Sequence, residues 1–244
     1  MEIKNNQQKE IISETAYLGP DATLYDSKRF IDPWGKLFNK MEMRQLECIL
    51  KTLPPQQTLE VGCGTGRFLV KCLEAGHEVY GLDPSPQMLE ECAKKISNFK
   101  LAHLQLGEGI KLPFENNQFN FVYSIRVLNQ VSSETYALEM IREMIRVCAD
   151  NGIILLEFVN KQSPLALRRF QTVRLSIADI KSLLKEFKNV KIKNISGILF
   201  FPETLMRMAP SFLLGIFEKI DAFFSKIFPQ LTSRCYIILK KVKF

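Results

Sequence analysis

The sequence contains no run of about 18 apolar residues, which excludes a helix able to cross a bilayer. It has only two histidines, His77 and His103. Its six cysteines, Cys48, Cys63, Cys72, Cys92, Cys148 and Cys235, form no Cys-x-x-Cys pair. No metal site is therefore expected. Scattered thiols in a chain of 244 residues do not suggest a disulfide framework either. Met1 to Glu14 is polar and charged and lacks an apolar core, so no secretion signal is read there and a cytoplasmic location is expected. Internal repeats are absent.

What is present is the composition of one globular domain, with 46% apolar or aromatic residues and 24% charged ones. The net charge of +7 is unevenly placed: from Lys161 onward there are 16 basic and 5 acidic residues, against 17 and 21 before it. A basic C-terminal third suits an anionic partner, or simply a solvated lysine-rich face.

Residues 25–53 carry apolar side chains near the 3.6-residue helical period (Leu37, Phe38, Met41, Leu46, Ile49, Leu50), and Pro54-Pro55 ends that helix. Strands are expected at 58–61, 78–82, 101–106, 119–124, 153–158, 190–195 and 236–242, and helices at 68–75, 86–96, 133–148 and 177–187. Asp150-Asn151-Gly152 reads as a turn. This alternation argues an α/β fold with a mostly parallel sheet covered by helices on both faces. Unbroken apolar strands such as Ile153-Ile154-Leu155-Leu156 fit burial on two sides. The chain is read as one domain, 1–244. Its parts are an N-terminal helical cover (1–53), a core (54–160) and a C-terminal half (161–244) holding an apolar helical insertion (197–233).

That insertion breaks the alternation. Phe212, Leu213, Ile216, Phe217, Ile220, Phe223, Phe224, Ile227 and Phe228 form a broad helical stripe punctuated by Pro202, Pro210 and Pro229. Four readings fit it. It is a lid over an apolar acceptor, an interfacial helix with Arg207, Lys219 and Lys226 near lipid headgroups, a dimer interface, or ordinary core.

The strand at 58–61 runs into Gly62-Cys63-Gly64-Thr65-Gly66, a loop whose glycines let backbone N–H groups approach a ligand. Dinucleotide binders use G-x-G-x-x-G, but position 67 is Arg67, not glycine. Glu60 just before the loop would repel a pyrophosphate and attract a ligand carrying an ammonium and a sulfonium. Charge thus favours a cationic nucleoside over NAD. Asp83 ends the second strand, where an acid faces the ligand crevice and can accept hydrogen bonds from ribose hydroxyls. It can alternatively cap the following helix.

The segment LEVGCGTGRFL (59–69) resembles motif I of class I S-adenosylmethionine (SAM)-dependent methyltransferases. Gly81-Leu82-Asp83-Pro84-Ser85-Pro86-Gln87-Met88-Leu89 is similar to their G-x-D-x-S-x-x-M-L motif. Gly107-Glu108-Gly109 with Leu112-Pro113-Phe114 resembles the G-D-A…L-P-F stretch, and Phe119 to Ser124 the F-D-x-V strand. Arg142 to Val147 followed by Asn151-Gly152-Ile153 resembles the R-E-x-x-R-V-L-x-P-G-G run. The likeness is close over 58–159 and points to the type 11 and ubiquinone-type branch acting on small molecules. It implies a Rossmann-like seven-stranded sheet whose last strand inserts antiparallel, and SAM as cofactor.

Carried over, the resemblance puts Glu60 and Gly62 near the methionine amine, with Cys63, Gly64 and Gly66 shaping the loop. It puts Asp83 and Pro84 at the ribose and Met88 beside the adenine. Glu108 would bond the adenine amino group and Gly109 would offer an N–H. Ser124, Ile125 and Arg126 would line the methyl-transfer mouth. Tyr25 and Arg29 fall where relatives carry a substrate-covering helix, and Asn129 falls in the L-x-H-V position as Leu128-Asn129-Gln130-Val131, without the histidine. Asn120 replaces the usual Asp of the F-D pair.

No catalytic base is assigned. His103 is expected in a strand facing a helix, His77 in an exposed turn, and Trp34 as a packing anchor. The expected partner is a small apolar or aromatic acceptor methylated on oxygen, nitrogen or carbon. Peripheral membrane contact and a monomer or homodimer are compatible. Nucleic acid is not expected: no N-P-P-Y-type motif follows the fourth strand, which reads Ser124-Ile125-Arg126-Val127, and basic residues do not interleave with a stacking platform. A catalytically silent protein on the same fold is the alternative.

Overall fold

The computed structural model describes residues 22–164 and 172–243. Seven strands form one sheet: β1 (Gln57–Val61), β2 (Glu78–Asp83), β3 (Ala102–Leu106), β4 (Phe119–Ser124), β5 (Cys148–Val159), β6 (Val190–Ile198) and β7 (Arg234–Lys241). Their spatial order is β3-β2-β1-β4-β5-β7-β6. The first five pair in parallel, while β7 inserts antiparallel between β5 and β6. The expected α/β, Rossmann-like sheet is what forms. Because the chain walks from β1 to β3 on one side and restarts with β4 on the other, a crevice opens at the carboxyl ends of β1 and β4.

Among the described residues there are eight α-helices: α1 (Tyr25–Arg29), α2 (Pro33–Leu50), α3 (Arg67–Glu74), α4 (Pro86–Ile96), α5 (Glu134–Val147), α6 (Ile177–Leu183), α7 (Glu203–Met208) and α8 (Leu214–Ile227). Alternate strand residues feed two cores. Phe121, Tyr123, Ile153 and Leu155 pack with α2, α3 and α4. Val122, Ile154 and Leu156 pack with α5 and α6. Two buried faces explain why the central strands are apolar without alternation.

Several boundaries differ from the pattern. The helical stretch expected from 25 onward splits in two, because the Asp32 carboxylate caps the Gly35 N–H at 2.5 Å and Pro33 occupies the first helical position. The turn expected at 150–152 lies inside β5, with Asn151 at φ +60° and a register shift opposite Phe119 and Phe121. His77 is not exposed but buried, its Nδ1 3.1 Å from the Thr58 hydroxyl. His103 faces solvent rather than a helix, stacked on Tyr80 and 3.2 Å from Glu78. Trp34 is buried in the first core, as its role of packing anchor requires. The six cysteines are free thiols. Among the described residues, no helix is long and apolar enough to cross a membrane and no cluster suited to a metal occurs.

Arg146 accounts for one sequence motif structurally. Its guanidinium donates to the Leu112 and Phe114 carbonyls, to Asn116 and to Glu143, clamping the 112–116 loop to α5.

Candidate active site

The loop after β1 sets the geometry. Gly62 sits at φ +81°, and a Cβ there would lie 2.3 Å from Val127, so only glycine lets the loop pass under the β4 connection. Gly64 is at φ +53° with nothing within 4 Å of where a Cβ would be: open space stands over its backbone. The N–H groups of Gly62 and Cys63 are taken by the Leu82 carbonyl at 2.7 and 3.0 Å, which ties the loop to β2.

That space is a pocket bounded by ten of the residues singled out in the sequence: Tyr25, Glu60, Gly62, Cys63, Gly64, Asp83, Pro84, Met88, Ile125 and Arg126. Adjacent strands carry its two acids. Glu60 is fully buried and its Oε2 accepts the Tyr123 hydroxyl at 2.9 Å. Burial raises its pKa well above the ordinary 4.5, against the opposing pull of the Tyr123 hydrogen bond. Asp83 accepts from the Gly64 N–H at 2.8 Å and from the Ser85 N–H at 2.9 Å. Burial raises its pKa too, opposed by those two bonds. Ser85, not Asp83, caps α4, so the carboxylate keeps lone pairs for a ligand. The Cys92 thiol and burial hold the Cys63 thiol well above its ordinary value, so it stays protonated and non-nucleophilic.

Other expected site residues stand apart from this lining. Ser124 does not reach the pocket, because its hydroxyl donates to the Val61 carbonyl at 2.9 Å between β1 and β4. Gly66 begins α3, packed against Cys92. Glu108 accepts from the Tyr136 hydroxyl at 3.3 Å, and Gly109 packs against Met140. The Gly107 N–H donates to the Asp83 carbonyl at 3.2 Å, which brings this stretch beside the end of β2. Asn129 is buried, its main-chain carbonyl accepting from Val173 N–H. Arg29 donates to the Tyr25 hydroxyl, and so orients a residue of the lining rather than joining it.

Thr65, Arg67, Phe68, Val127 and Gln130 also line the pocket, although the sequence assigns them no site role. Thr65 donates to Asp26 at 3.1 Å, docking α1 onto the glycine loop. Arg67 pairs with the buried Glu42 at 2.8 Å and lies over the Phe68 ring. Arg126 sits at φ +69°, held by its N–H to Glu157 at 2.6 Å, with its guanidinium over Phe38. The signal for Arg67 was visible as the residue that breaks the dinucleotide spacing. Arg126 lines the pocket as the resemblance implied, but its partners Glu42 and Glu157 come from α2 and β5 and could not be read from its neighbours in sequence. Neither histidine lines the pocket.

Residues 59–156 match a family model described as a methyltransferase domain (Methyltransf_11). Demethylmenaquinone methyltransferase of Staphylococcus haemolyticus is 37% identical over 101 residues, covering 40% of this chain and 41% of that protein. The Bacillus cereus protein of the same name is 34% identical over 125 residues, covering 49% and 50%. The chain thus spans half or less of the curated relatives it matches. Among solved structures, magnesium protoporphyrin IX methyltransferase from Synechocystis aligns with a TM-score of 0.59 at 15% identity, covering 98% of this chain and 92% of that one. Phosphoethanolamine N-methyltransferase 1 from Haemonchus contortus aligns with a TM-score of 0.63 at 16% identity, covering 100% and 50%. These likenesses establish the fold.

Proposed function

We propose that the chain, whose residues 59–156 match a methyltransferase-domain model, binds SAM and transfers its methyl group to a small apolar or aromatic acceptor. The observation that carries this reading is Glu60: a buried carboxylate on the pocket wall with no ion-pair partner among the described residues. A pocket holding such an acid beside Asp83 suits a ligand bearing positive charge and repels a pyrophosphate.

When bound, SAM supplies a methyl group on a positively charged sulfur that departs as a neutral thioether. Glu60 faces the ammonium and sulfonium end, and Arg67 and Arg126 on the same pocket suit the carboxylate of that end. The free lone pairs of Asp83 accept from ribose hydroxyls. Met88 packs against the adenine, and Glu108 and Gly109 border its edge. The open backbone of Gly64 gives the ligand close approach.

The acceptor half of the pocket is built from Tyr25, Phe68, Ile125 and Val127, a mostly apolar wall. What the chain contributes to the reaction is alignment, which supplies roughly 7 to 11 kcal/mol in favourable cases. Tyr25, oriented by Arg29, is the hydroxyl placed to position an acceptor. Since the leaving group is neutral, no acid is required. Calorimetry tests the proposal: the wild-type protein binds SAM, Asp83→Ala binds it far more weakly, and NADH gives no heat. A folded wild-type protein with no SAM binding overturns it.

A further inference from the structure

The α7–α8 segment leaves the sheet at Ile198 and returns at Arg234, and none of its residues lines the pocket described above. It is therefore not a lid on that site. Its central helix is inside out. At about 100° per residue, Ile216, Ile220, Phe223 and Ile227 of α8 fall within an arc of about 60°. All four are exposed, Phe223 at 60%. The opposite arc, Leu214, Glu218, Asp221 and Ser225, is the buried one. Met208 and Phe212 in the approach to α8 are 83% and 79% exposed and extend the apolar strip.

This orientation is fixed by specific bonds. Asp221 accepts from the Leu199 N–H at 3.1 Å and the Phe201 N–H at 3.0 Å, and Ser225 donates to it at 3.3 Å. Glu218 pairs with Lys40 at 3.0 Å and Arg44 at 3.7 Å on α2. Rotating α8 to hide Phe223 and its isoleucines would break all of these and bring Leu214 out of the core. An apolar strip held outward in this way marks an interaction surface.

Charge identifies the occupant. All three acids of the segment are turned inward or paired: Glu218 and Asp221 are buried, and Glu203 pairs with Arg207 at 2.9 Å. Lys219 and Lys226, by contrast, are exposed along one flank of the strip. An apolar strip edged by cations and stripped of free acid matches an anionic lipid surface, into whose headgroup region such a helix lies in plane. We propose that the exposed face of α7–α8 docks this protein on anionic membranes.

Sedimentation with sucrose-loaded vesicles tests this on the full chain. Wild-type protein should pellet with vesicles of equal phosphatidylcholine and phosphatidylglycerol, bind phosphatidylcholine alone more weakly, and be released by added salt. Ile216→Ser with Phe223→Ser should weaken binding to the mixed vesicles by about tenfold or more. Lys219→Gln with Lys226→Gln should weaken it by about fivefold for each lysine and leave binding to phosphatidylcholine unchanged. Both variants alter exposed side chains, and thermal melting checks that they fold as the wild type does. Absence of wild-type binding, binding indifferent to phosphatidylglycerol, or full binding by the apolar variant overturns the proposal. So does a dimer held through this face that stays off vesicles.

Discussion

Two buried glutamates, Glu60 at the end of β1 and Glu218 on α8, show how one residue type takes two roles. Glu218 lies on the inner side of its helix and has its charge answered by Lys40 and Arg44 of α2. Glu60 lies deeper, on the pocket wall, and among the described residues has only the Tyr123 hydroxyl as a hydrogen-bond partner. The first acid is complete within the chain and orients a helix. The second is left without a counter-charge, an arrangement that costs stability unless a ligand brings the cation. Burial alone therefore does not mark a functional acid; an unanswered charge facing open space does.

The largest expected effect lies on the pocket side. Asp83→Ala removes an acceptor for both ribose hydroxyls and frees the Gly64 and Ser85 N–H groups, so SAM affinity should fall by about a hundredfold or more in calorimetry. A tenfold smaller loss would reduce Asp83 to a loop-shaping residue. On the α8 side, Asp221→Ala strips the Leu199 and Phe201 N–H groups of a buried acceptor and should cost about 2 to 3 kcal/mol in denaturant unfolding. SAM affinity should stay unchanged. If it falls as well, the two regions are coupled and the contrast fails.

Glu60→Gln sharpens the comparison, because it should move binding and stability in opposite directions. Burial raises the folded pKa of Glu60 above its unfolded value, so the folded state holds the proton more tightly. Its contribution is favourable below the ordinary 4.5 and is lost as pH rises through the folded pKa. A neutral amide escapes that loss, so the variant should melt higher at neutral pH while binding SAM about tenfold more weakly. For the same reason, SAM affinity of the wild type should rise with pH across that window, with proton release seen as a buffer-dependent heat. A variant that melts lower and binds as the wild type does would place Glu60 with Glu218 among the structural acids. The smallest effect is expected for Phe223→Ser, which should change unfolding free energy by no more than about 0.5 kcal/mol, since its ring is 60% exposed. A larger loss would make the α8 strip part of the core.

The core of the fold was legible because its signals are local. β4 and α4 occupy the expected residues, 119–124 and 86–96, where an apolar run and a Ser-Pro helix start leave little choice. Ten pocket residues were legible for a related reason: strand ends and the glycine loop place neighbours in sequence at one crevice. Arg126 owes its strained φ and its position to Glu157 and Glu42, and Ser124 turned away because the Val61 carbonyl lay within reach across the sheet. His77, next to a glycine, read as exposed, but the Thr58 hydroxyl on β1 gave it a buried partner.

The sequence by itself determined the strand–loop–helix device, the acid at the end of β1 and the acid at the end of β2. Each depends on backbone geometry and residue order over a few positions. It also determined that the apolar stripe from Phe212 to Phe228 is helical, since a 3.6-residue stripe has no other regular solution. Only the tertiary structure decided which side of that helix faces water. An apolar stripe is equally helical facing in or out, and the choice fell to Asp221 and Glu218. Their partners, the Leu199 and Phe201 N–H groups and the cations of α2, meet them only when the chain is folded.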